Sequence, residues 1–158
     1  MRFEATINGR AVSAEIAPTE FLTEVLRAQG LIGTKRGCDS GDCGACAVLL
    51  DGREVNSCII LAAQASGHDI VTVEGIGTTR EPHPIQEAFV DAGAVQCGFC
   101  TPGMVIATKA LLDETATPTR RDARSALAGH LCRCTGYVKC VDAVVDAAHR
   151  VRAARGEG

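Results

Sequence analysis

The first part of the chain alternates apolar and polar residues with the two-residue period of β-strands. Phe3 and Ile7 are separated by polar neighbours in this way, and Asn8-Gly9 follows them. That dipeptide predicts a tight hairpin because both positions tolerate positive φ. The alternation then resumes, and Asp51-Gly52 predicts a second hairpin further along.

One helix is predicted between the two hairpins. It begins at Pro18 and Thr19, and Gly30 suits its end. Its apolar residues recur at helical spacing: Phe21, Leu22, Val25 and Leu26. A last strand is predicted over 70–73. Two hairpins around one helix is the element order of a β-grasp fold.

The periodicity becomes helical after a segment rich in Gly, Pro and Thr, which predicts a linker over 75–84. Helices are predicted from Pro84 to Gly93 and from Thr101 to about Leu112, each with proline near its first position. Thr119 resembles the first residue of a capping box for a third helix that ends near Gly129. A fourth is predicted from the spacing of Val138, Val141, Val145, Ala148 and Val151. The chain is therefore predicted to divide into a sheet domain over 1–77 and a small helical bundle over 78–158.

Composition narrows the possible functions. Apolar residues make up 46% of the 158 residues, which is enough for a core, whereas aromatic residues are only 3% and the net charge is −3. Without a basic stripe, neither nucleic acid nor an anionic membrane is indicated as a partner. No apolar run approaches the roughly 18 residues of a membrane span, and no signal segment opens the chain. The expectation is a soluble cytoplasmic protein.

Nine cysteines are the unusual feature of the composition. Disulfides are one interpretation, but the count is odd and no export signal accompanies it. In a reducing compartment, clustered cysteines are more often metal ligands.

Four cysteines form a first set with the spacing C-x4-C-x2-C-x11-C: Cys38, Cys43, Cys46 and Cys58. The first three match the plant-type [2Fe–2S] loop. Gly37, Gly41 and Gly44 would let this loop turn sharply and aim its amides at the sulfurs. The alternative is a zinc site, for which the C-x2-C spacing is suitable and the position of Cys38 nearly so.

A second set pairs a C-x2-C motif with a C-x-C motif: Cys97, Cys100, Cys132 and Cys134. Each pair lies at a predicted junction between helices, so one end of the bundle could gather four thiolates for a second cluster. A zinc site and a redox-active dithiol are the alternatives. Cys140 is left over and is predicted to be a buried apolar packing residue. None of the four histidines has the spacing that a Rieske-type cluster would need.

Three stretches together resemble the small subunit of the molybdenum hydroxylases, the xanthine dehydrogenase family. They are the loop from Gly33 to Cys46, Gln96-Cys-Gly-Phe-Cys-Thr-Pro-Gly-Met104 and Leu131-Cys-Arg-Cys-Thr-Gly-Tyr137. They occur in the family's order and span nearly the whole chain. The resemblance implies an α+β fold class, in which a β-grasp 2Fe-2S ferredoxin-like domain is followed by a four-helix-bundle 2Fe-2S-binding domain.

The same resemblance implies an electron-transfer subunit of a molybdenum-dependent dehydrogenase. The second cluster would face molybdopterin, expected as the cytosine dinucleotide, in a large subunit, with Cys134 and Gln96 against that cofactor. The first cluster would face FAD in a medium subunit, so electrons would pass from molybdenum through both clusters to FAD. The expected assembly is a heterotrimer that can pair into a dimer. This chain has no G-x-G-x-x-G fingerprint and is expected to carry no complete active site.

Two positions depart from the family pattern. His130 stands where Asn is usual, either as an exposed imidazole that titrates beside a cluster or as a polar replacement, and Cys140 stands where an aliphatic residue is usual. The segment from His83 to Glu87 is slightly more similar to enzymes that hydroxylate purines and other N-heteroaromatics, which predicts that substrate class. The alternative functions are a free-standing two-cluster ferredoxin and a zinc-binding interaction module.

Overall fold

The computed structural model describes residues 1–156, so residues 157 and 158 of the second predicted domain lie outside the described part. Five strands and six helices follow one another in the order β1 Arg2–Ile7, β2 Arg10–Glu15, α1 Leu22–Ala28, β3 Ala47–Leu50, β4 Arg53–Asn56, β5 Asp69–Val71, α2 Val73–Ile76, α3 Pro84–Asp91, α4 Thr101–Glu114, α5 Arg120–Leu127 and α6 Val138–Ala154. Two short 3-10 turns, Ser57–Ile59 and Ala62–Ala65, lie between β4 and β5. The strands thus precede the main helices, as predicted.

The strands form one mixed sheet in the order β2-β1-β5-β3-β4. β1 runs parallel to β5, and the other neighbouring strands are antiparallel. Both predicted hairpins are present, with φ of 51° at Asn8 and 49° at Asp51. The glycine after each also has positive φ, which is the geometry that the right-handed twist of a two-stranded ribbon requires.

Helix α1 packs across one face of the sheet around a fully buried group that includes Phe3, Leu22, Val48 and Ile70. The helix begins at Leu22 rather than at Pro18-Thr19. Phe21 is its N-cap and is 39% exposed, so its predicted place in the apolar stripe is wrong. The predicted hairpins and the inward side of β1 are confirmed.

The connection between the two parts differs from the predicted linker. β5 ends at Val71 because the next residue bonds to the first hairpin: Thr72 N–H donates to Asn8 Oδ1 at 2.9 Å, and Asn8 Nδ2 donates to Thr72 Oγ1 at 3.0 Å. The chain then turns into the short helix α2, where an irregular segment was expected.

Helices α3 to α6 surround a second core that includes Ile85, Phe89, Met104 and Val144. The predicted capping box of α5 is confirmed: Asp122 N–H donates to Thr119 Oγ1 at 3.2 Å and Thr119 N–H donates to Asp122 Oδ2 at 2.8 Å. Thr101 is the first residue of α4, as predicted, and Cys100 is its N-cap. No helix in the described part of the chain has the length and apolar character needed to cross a bilayer.

A third, small core joins the sheet to the helices. Ala47 and Leu49 of β3 pack against Ile106 of α4, and all three are buried. Gly33 N–H also donates to Glu74 Oε1 at 2.8 Å, which ties the loop after α1 to α2. The two units are therefore packed directly against each other beside the loop that carries the first cysteines.

Candidate functional site

The first cysteine set lies on the loop between α1 and β3 and on the 3-10 turn after β4. Within the loop, the N–H groups of Ser40 and Cys43 donate to Cys38 Sγ at 3.5 and 3.4 Å. The hydrogen bonds from Ser40, followed by those from Cys43, lower the pKa of the Cys38 thiol to about 6. The loop therefore stabilises a thiolate through its own backbone, as its glycine content predicted.

The other two cysteines of this set, Cys46 and Cys58, are buried. The β3–β4 hairpin returns the chain to Cys58 beside Cys46, and Asn56 Nδ2 donates to the Gly41 carbonyl at 2.8 Å, which ties the hairpin to the loop. Burial, followed by the neighbouring Cys46 thiol, raises the pKa of Cys58 to about 11. Cys38 and Cys43 form one close pair, and Cys46 and Cys58 form the other.

The glycines of this loop are required by close contacts as well as by backbone conformation. A Cβ on Gly37 would lie 2.8 Å from Cys43 Sγ. Gly44 has a φ of +70°, and a Cβ there would lie 2.5 Å from the carbonyl oxygen of Gly129 in the helical unit. Gly37 thus leaves room for a predicted ligand, and Gly44 lets the helical unit approach.

The second cysteine set is brought together from two loops, as predicted. Cys97 and Cys100 lie between α3 and α4, and Cys132 and Cys134 lie between α5 and α6. All four line one open cavity of 480 Å³, together with Phe99, Leu131, Arg133 and Tyr137. The Sγ atoms of Cys97 and Cys134 are 3.6 Å apart. Burial, followed by the neighbouring Cys132 thiol, raises the pKa of Cys100 to about 12. Each close pair thus takes one thiol from each loop.

Cys132 has polar contacts that sequence reasoning missed. Thr135 Oγ1 lies 3.1 Å from Cys132 Sγ, and Cys132 N–H donates to the Tyr137 hydroxyl at 2.7 Å. Burial alone would raise the pKa of Cys132, but the hydrogen bonds led by the Thr135 hydroxyl lower it to about 7. Tyr137 also adopts a left-handed φ of 68°. The Thr-Gly-Tyr run after the C-x-C motif was the available signal.

Gln96 and Cys134 are neighbours in the structure. Gln96 Nε2 donates to the Cys134 carbonyl at 3.1 Å, and both residues are exposed. Cys140, in contrast, is completely buried, which confirms its assignment to the core. The structure therefore joins the two residues predicted to face the partner's cofactor, and it separates Cys140 from the cavity.

His130 is buried, so of the two interpretations given for it the exposed imidazole is wrong. Its side chain is only 2% exposed, and Nε2 lies 2.6 Å from Glu54 Oε1 on β4. Because a carboxylate accepts, this contact assigns the proton to Nε2, and the buried Nδ1 has no hydrogen-bond partner. His130 therefore connects the helical unit to the sheet.

The two cysteine sets are linked by direct contacts between their loops. Leu131 N–H donates to the Cys43 carbonyl at 3.0 Å, and Leu131 directly precedes Cys132. Phe99, between Cys97 and Cys100, reaches the other loop, where its ring would lie 3.4 Å from a Cβ on Gly37. One hydrogen bond therefore connects Cys43 of the first set to Leu131, the residue next to Cys132 of the second set.

The donor sets fit two-iron clusters. All nine cysteines are free thiols, so none of the eight predicted ligands is used in a disulfide. Across residues 1–156, no three Cys, His, Asp or Glu side chains come together in a group that could hold one metal ion. The thiols lie as two close pairs in each set, which suits a core of two irons with two thiolates each.

Comparison with known families agrees with this chemistry. The family model described as "2Fe-2S iron-sulfur cluster binding domain" matches residues 5–70, and the model described as "[2Fe-2S] binding domain" matches residues 72–145. Together they cover most of the chain. The protein is thus composed of two iron–sulfur domains, one on the sheet and one on the helices.

Comparison with individual proteins narrows the class of iron–sulfur protein to which the chain belongs. The chain is 46% identical to the nicotinate dehydrogenase small FeS subunit of Eubacterium barkeri, over 91% of this chain and 92% of that one. It is 47% identical to the xanthine dehydrogenase iron-sulfur-binding subunit of Escherichia coli O157:H7, over 90% and 91%. A chain of quinoline 2-oxidoreductase from Pseudomonas putida 86 superimposes with a TM-score of 0.93 at 43% identity, covering 100% of this chain and 98% of that chain. The chain belongs to the iron–sulfur subunits of the molybdenum hydroxylases, the xanthine dehydrogenase family.

Proposed function

We propose that this chain carries electrons between the molybdopterin site of a large subunit and the FAD of a medium subunit in a molybdenum hydroxylase. The observation that carries the proposal is the presence of two four-cysteine sites linked by the hydrogen bond from Leu131 N–H to the Cys43 carbonyl. A free carrier would need one exposed site, whereas two linked sites provide a path through the protein.

Each cluster is assigned to one cysteine set and one domain. A β-grasp ferredoxin domain over 1–77 holds the first [2Fe–2S] cluster on Cys38, Cys43, Cys46 and Cys58. A four-helix bundle over 78–158 holds the second on Cys97, Cys100, Cys132 and Cys134. The two close thiol pairs in each set support this assignment.

When bound, the clusters supply sites that accept and release one electron at a time. The chain's own residues prepare those sites by placing donors around negative sulfur. The N–H groups of Ser40 and Cys43 do this for Cys38, and the Thr135 hydroxyl does it for Cys132. Hydrogen bonds to ligand sulfur are one of the principal means by which proteins set cluster potentials.

The exposed side of the second site is assigned to the large subunit. Cys97 and Cys134 are exposed there, and Phe99 and Leu131 beside them are large exposed apolar residues. Gln96, bonded to the Cys134 carbonyl, would contact molybdopterin, which we propose is the cytosine dinucleotide. Large exposed apolar side chains beside an exposed site are what a stable subunit contact would bury.

The first site is assigned to the FAD-binding medium subunit. Cys38 is exposed in its loop, so an electron could leave the protein there. The complete assembly would be a cytoplasmic heterotrimer, able to pair into a dimer. A free-standing two-cluster ferredoxin is the alternative, and the relatives named as subunits of larger enzymes favour the assembly.

The substrate class proposed for the complete enzyme is an N-heteroaromatic compound or purine. The family likeness of residues 83–87 and the names of relatives, nicotinate dehydrogenase and nicotine 6-hydroxylase, support it. Other relatives are named aldehyde oxidoreductases, so steady-state assays should compare a nicotinate-type ring with an aldehyde. Turnover of aldehydes alone would contradict the proposed class.

Metal analysis of the protein purified from its own host tests the electron-transfer proposal. We expect about four irons per copy, two for each four-cysteine site, with one molybdenum in the co-purifying large subunit. About two irons would mean that one cysteine set is assigned wrongly. Zinc in place of iron would reject electron transfer, and a full iron content in a chain that never co-purifies with molybdenum would favour the free ferredoxin.

A further inference from the structure

The Thr135 hydroxyl is the centre of a small hydrogen-bond network behind the second cysteine set. Its oxygen lies 3.1 Å from Cys132 Sγ, 3.4 Å from Cys140 Sγ and 3.3 Å from the backbone nitrogen of Tyr137. A hydroxyl has one proton to donate and two lone pairs that accept. All three of these capacities therefore have a partner.

The direction of the network follows from the chemistry of its members. The Tyr137 N–H can only donate, so it occupies one acceptor site of the Thr135 oxygen. Cys140 is completely buried, and its thiol, a weak donor, donates to the other acceptor site of the Thr135 oxygen at 3.4 Å. The remaining partner is Cys132 Sγ, toward which the single Thr135 proton is directed.

The Cys140 thiol has one competing acceptor. The Ala94 carbonyl lies 3.8 Å from Cys140 Sγ, compared with 3.4 Å for Thr135 Oγ1, so the shorter contact favours the hydroxyl. The thiol thus fills the space of an apolar residue and adds one donor.

We propose that Thr135 raises the reduction potential of the second cluster and that Cys140 is a positioning residue that orients the Thr135 hydroxyl toward Cys132. The inference rests on the proposed function, since it assumes that Cys132 is a cluster ligand. Reduction adds one negative charge to a cluster, and a hydrogen bond to ligand sulfur stabilises that charge. The network would therefore make the second cluster easier to reduce without changing its ligands.

The test is a redox titration of the purified complex, in which electron paramagnetic resonance follows the two reduced clusters separately. Thr135→Val removes the hydroxyl and keeps the shape of the side chain. At a fixed solution potential, we expect the ratio of reduced to oxidised second cluster to fall about tenfold, which is ~59 mV for a one-electron couple. The first cluster should keep its midpoint, and Thr135→Ser, which retains a hydroxyl, should remain close to the wild type.

Two substitutions at Cys140 test the positioning role. Cys140→Ala removes the donor and should shift the second cluster in the same direction as Thr135→Val but by less, whereas Cys140→Ser retains a donor and should shift it little. When Thr135 is already valine, Cys140→Ala should add nothing, because the two residues act through one hydrogen bond.

Several results would overturn the inference. An unchanged second midpoint in Thr135→Val would reject the role of the hydroxyl, and an equal shift in both clusters would show a general disturbance instead. Equal midpoints in Cys140→Ala and Cys140→Ser would reject the positioning role. A wild-type complex with no second cluster signal would contradict the proposed function itself, so the two failures are distinguishable.

Discussion

The close approach of the two units can be tested at Gly103, in the first turn of α4. A Cβ at this position would lie 2.3 Å from the Gly44 carbonyl oxygen and 2.9 Å from His130 Nδ1. Neither neighbour can move easily, because one is backbone and the other is held by its contact with Glu54. Gly103→Ala should therefore push α4 away from the first cysteine loop.

Two opposing effects determine how much Gly103→Ala changes the free energy of unfolding. Alanine is better than glycine within a helix by up to about 1 kcal/mol, which would stabilise the variant. Forcing an extra methyl group into a packed region costs about 1–3 kcal/mol, and the contact at 2.3 Å lies toward the severe end. We expect a net destabilisation of about 1–2 kcal/mol, opposite in sign to the helix preference.

Gly129→Ala is the matched control. Gly129 contributes its carbonyl to the same interface, yet a Cβ on it would meet no atom within 4 Å, and its φ lies outside the left-handed region. A substitution of this kind usually stabilises by about 0.4–1 kcal/mol, because it restricts the unfolded chain. Both glycines belong to the helical unit and lie near Gly44, but only the methyl group added at Gly103 meets neighbouring atoms.

The assay is thermal denaturation of the purified complex, followed by the visible absorption of the clusters. For a chain of this size, a loss of about 1–2 kcal/mol lowers the midpoint by roughly 2–8 °C. The magnetic coupling between the two reduced clusters should weaken in the same variant. If Gly103→Ala were as stable as the wild type or more so, the reasoning from the close contact would be refuted.

Four further predictions test the site and the fold. Cys134→Ser should remove the second cluster's spectrum and stop turnover while the first cluster's spectrum is kept; loss of both would contradict separate sites. Cys140→Ala should retain full iron content, which metal analysis checks. Thr119→Ala should destabilise α5 by about 1 kcal/mol in chemical denaturation, because it removes the hydroxyl that caps the helix. Finally, hydrogen bonds from Thr119 lower the pKa of Asp122. The ionised Asp122 side chain therefore adds to the free energy of unfolding above the ordinary aspartate pKa, and this contribution is lost as pH falls through the lowered value. Asp122→Asn should make the free energy of unfolding depend less on pH, which unfolding experiments at several pH values would measure.

The sequence predicted those features that depend on short-range patterns. Asn-Gly and Asp-Gly specified both hairpins, and the Thr119–Asp122 spacing specified a helix cap, because each requires only a few consecutive residues. Phe21 was misplaced because helical periodicity does not show which residue at the start of a helix is the cap.

Contacts that depend on tertiary packing were beyond sequence reasoning. The burial of His130 depends on Glu54, which is 76 residues away along the chain. The position of Thr135 between Cys132 and Cys140 depends on how one loop folds back onto the first turn of α6. Eight cysteines could be assigned to two sets by spacing, but the hydrogen bonds around them follow from packing.

The parallel pairing of β1 with β5 also bears on the order in which this protein is assembled. All four proposed ligands of the first cluster lie within the loop that this pairing closes, between Ile7 and Ile70. Iron bound early would shorten that loop by the segment from Cys38 to Cys58. The entropy of loop closure depends only on the logarithm of loop length, so the saving is roughly 0.3 kcal/mol. The strands therefore gain almost nothing from early iron, and insertion of the metal is free to follow folding of the sheet.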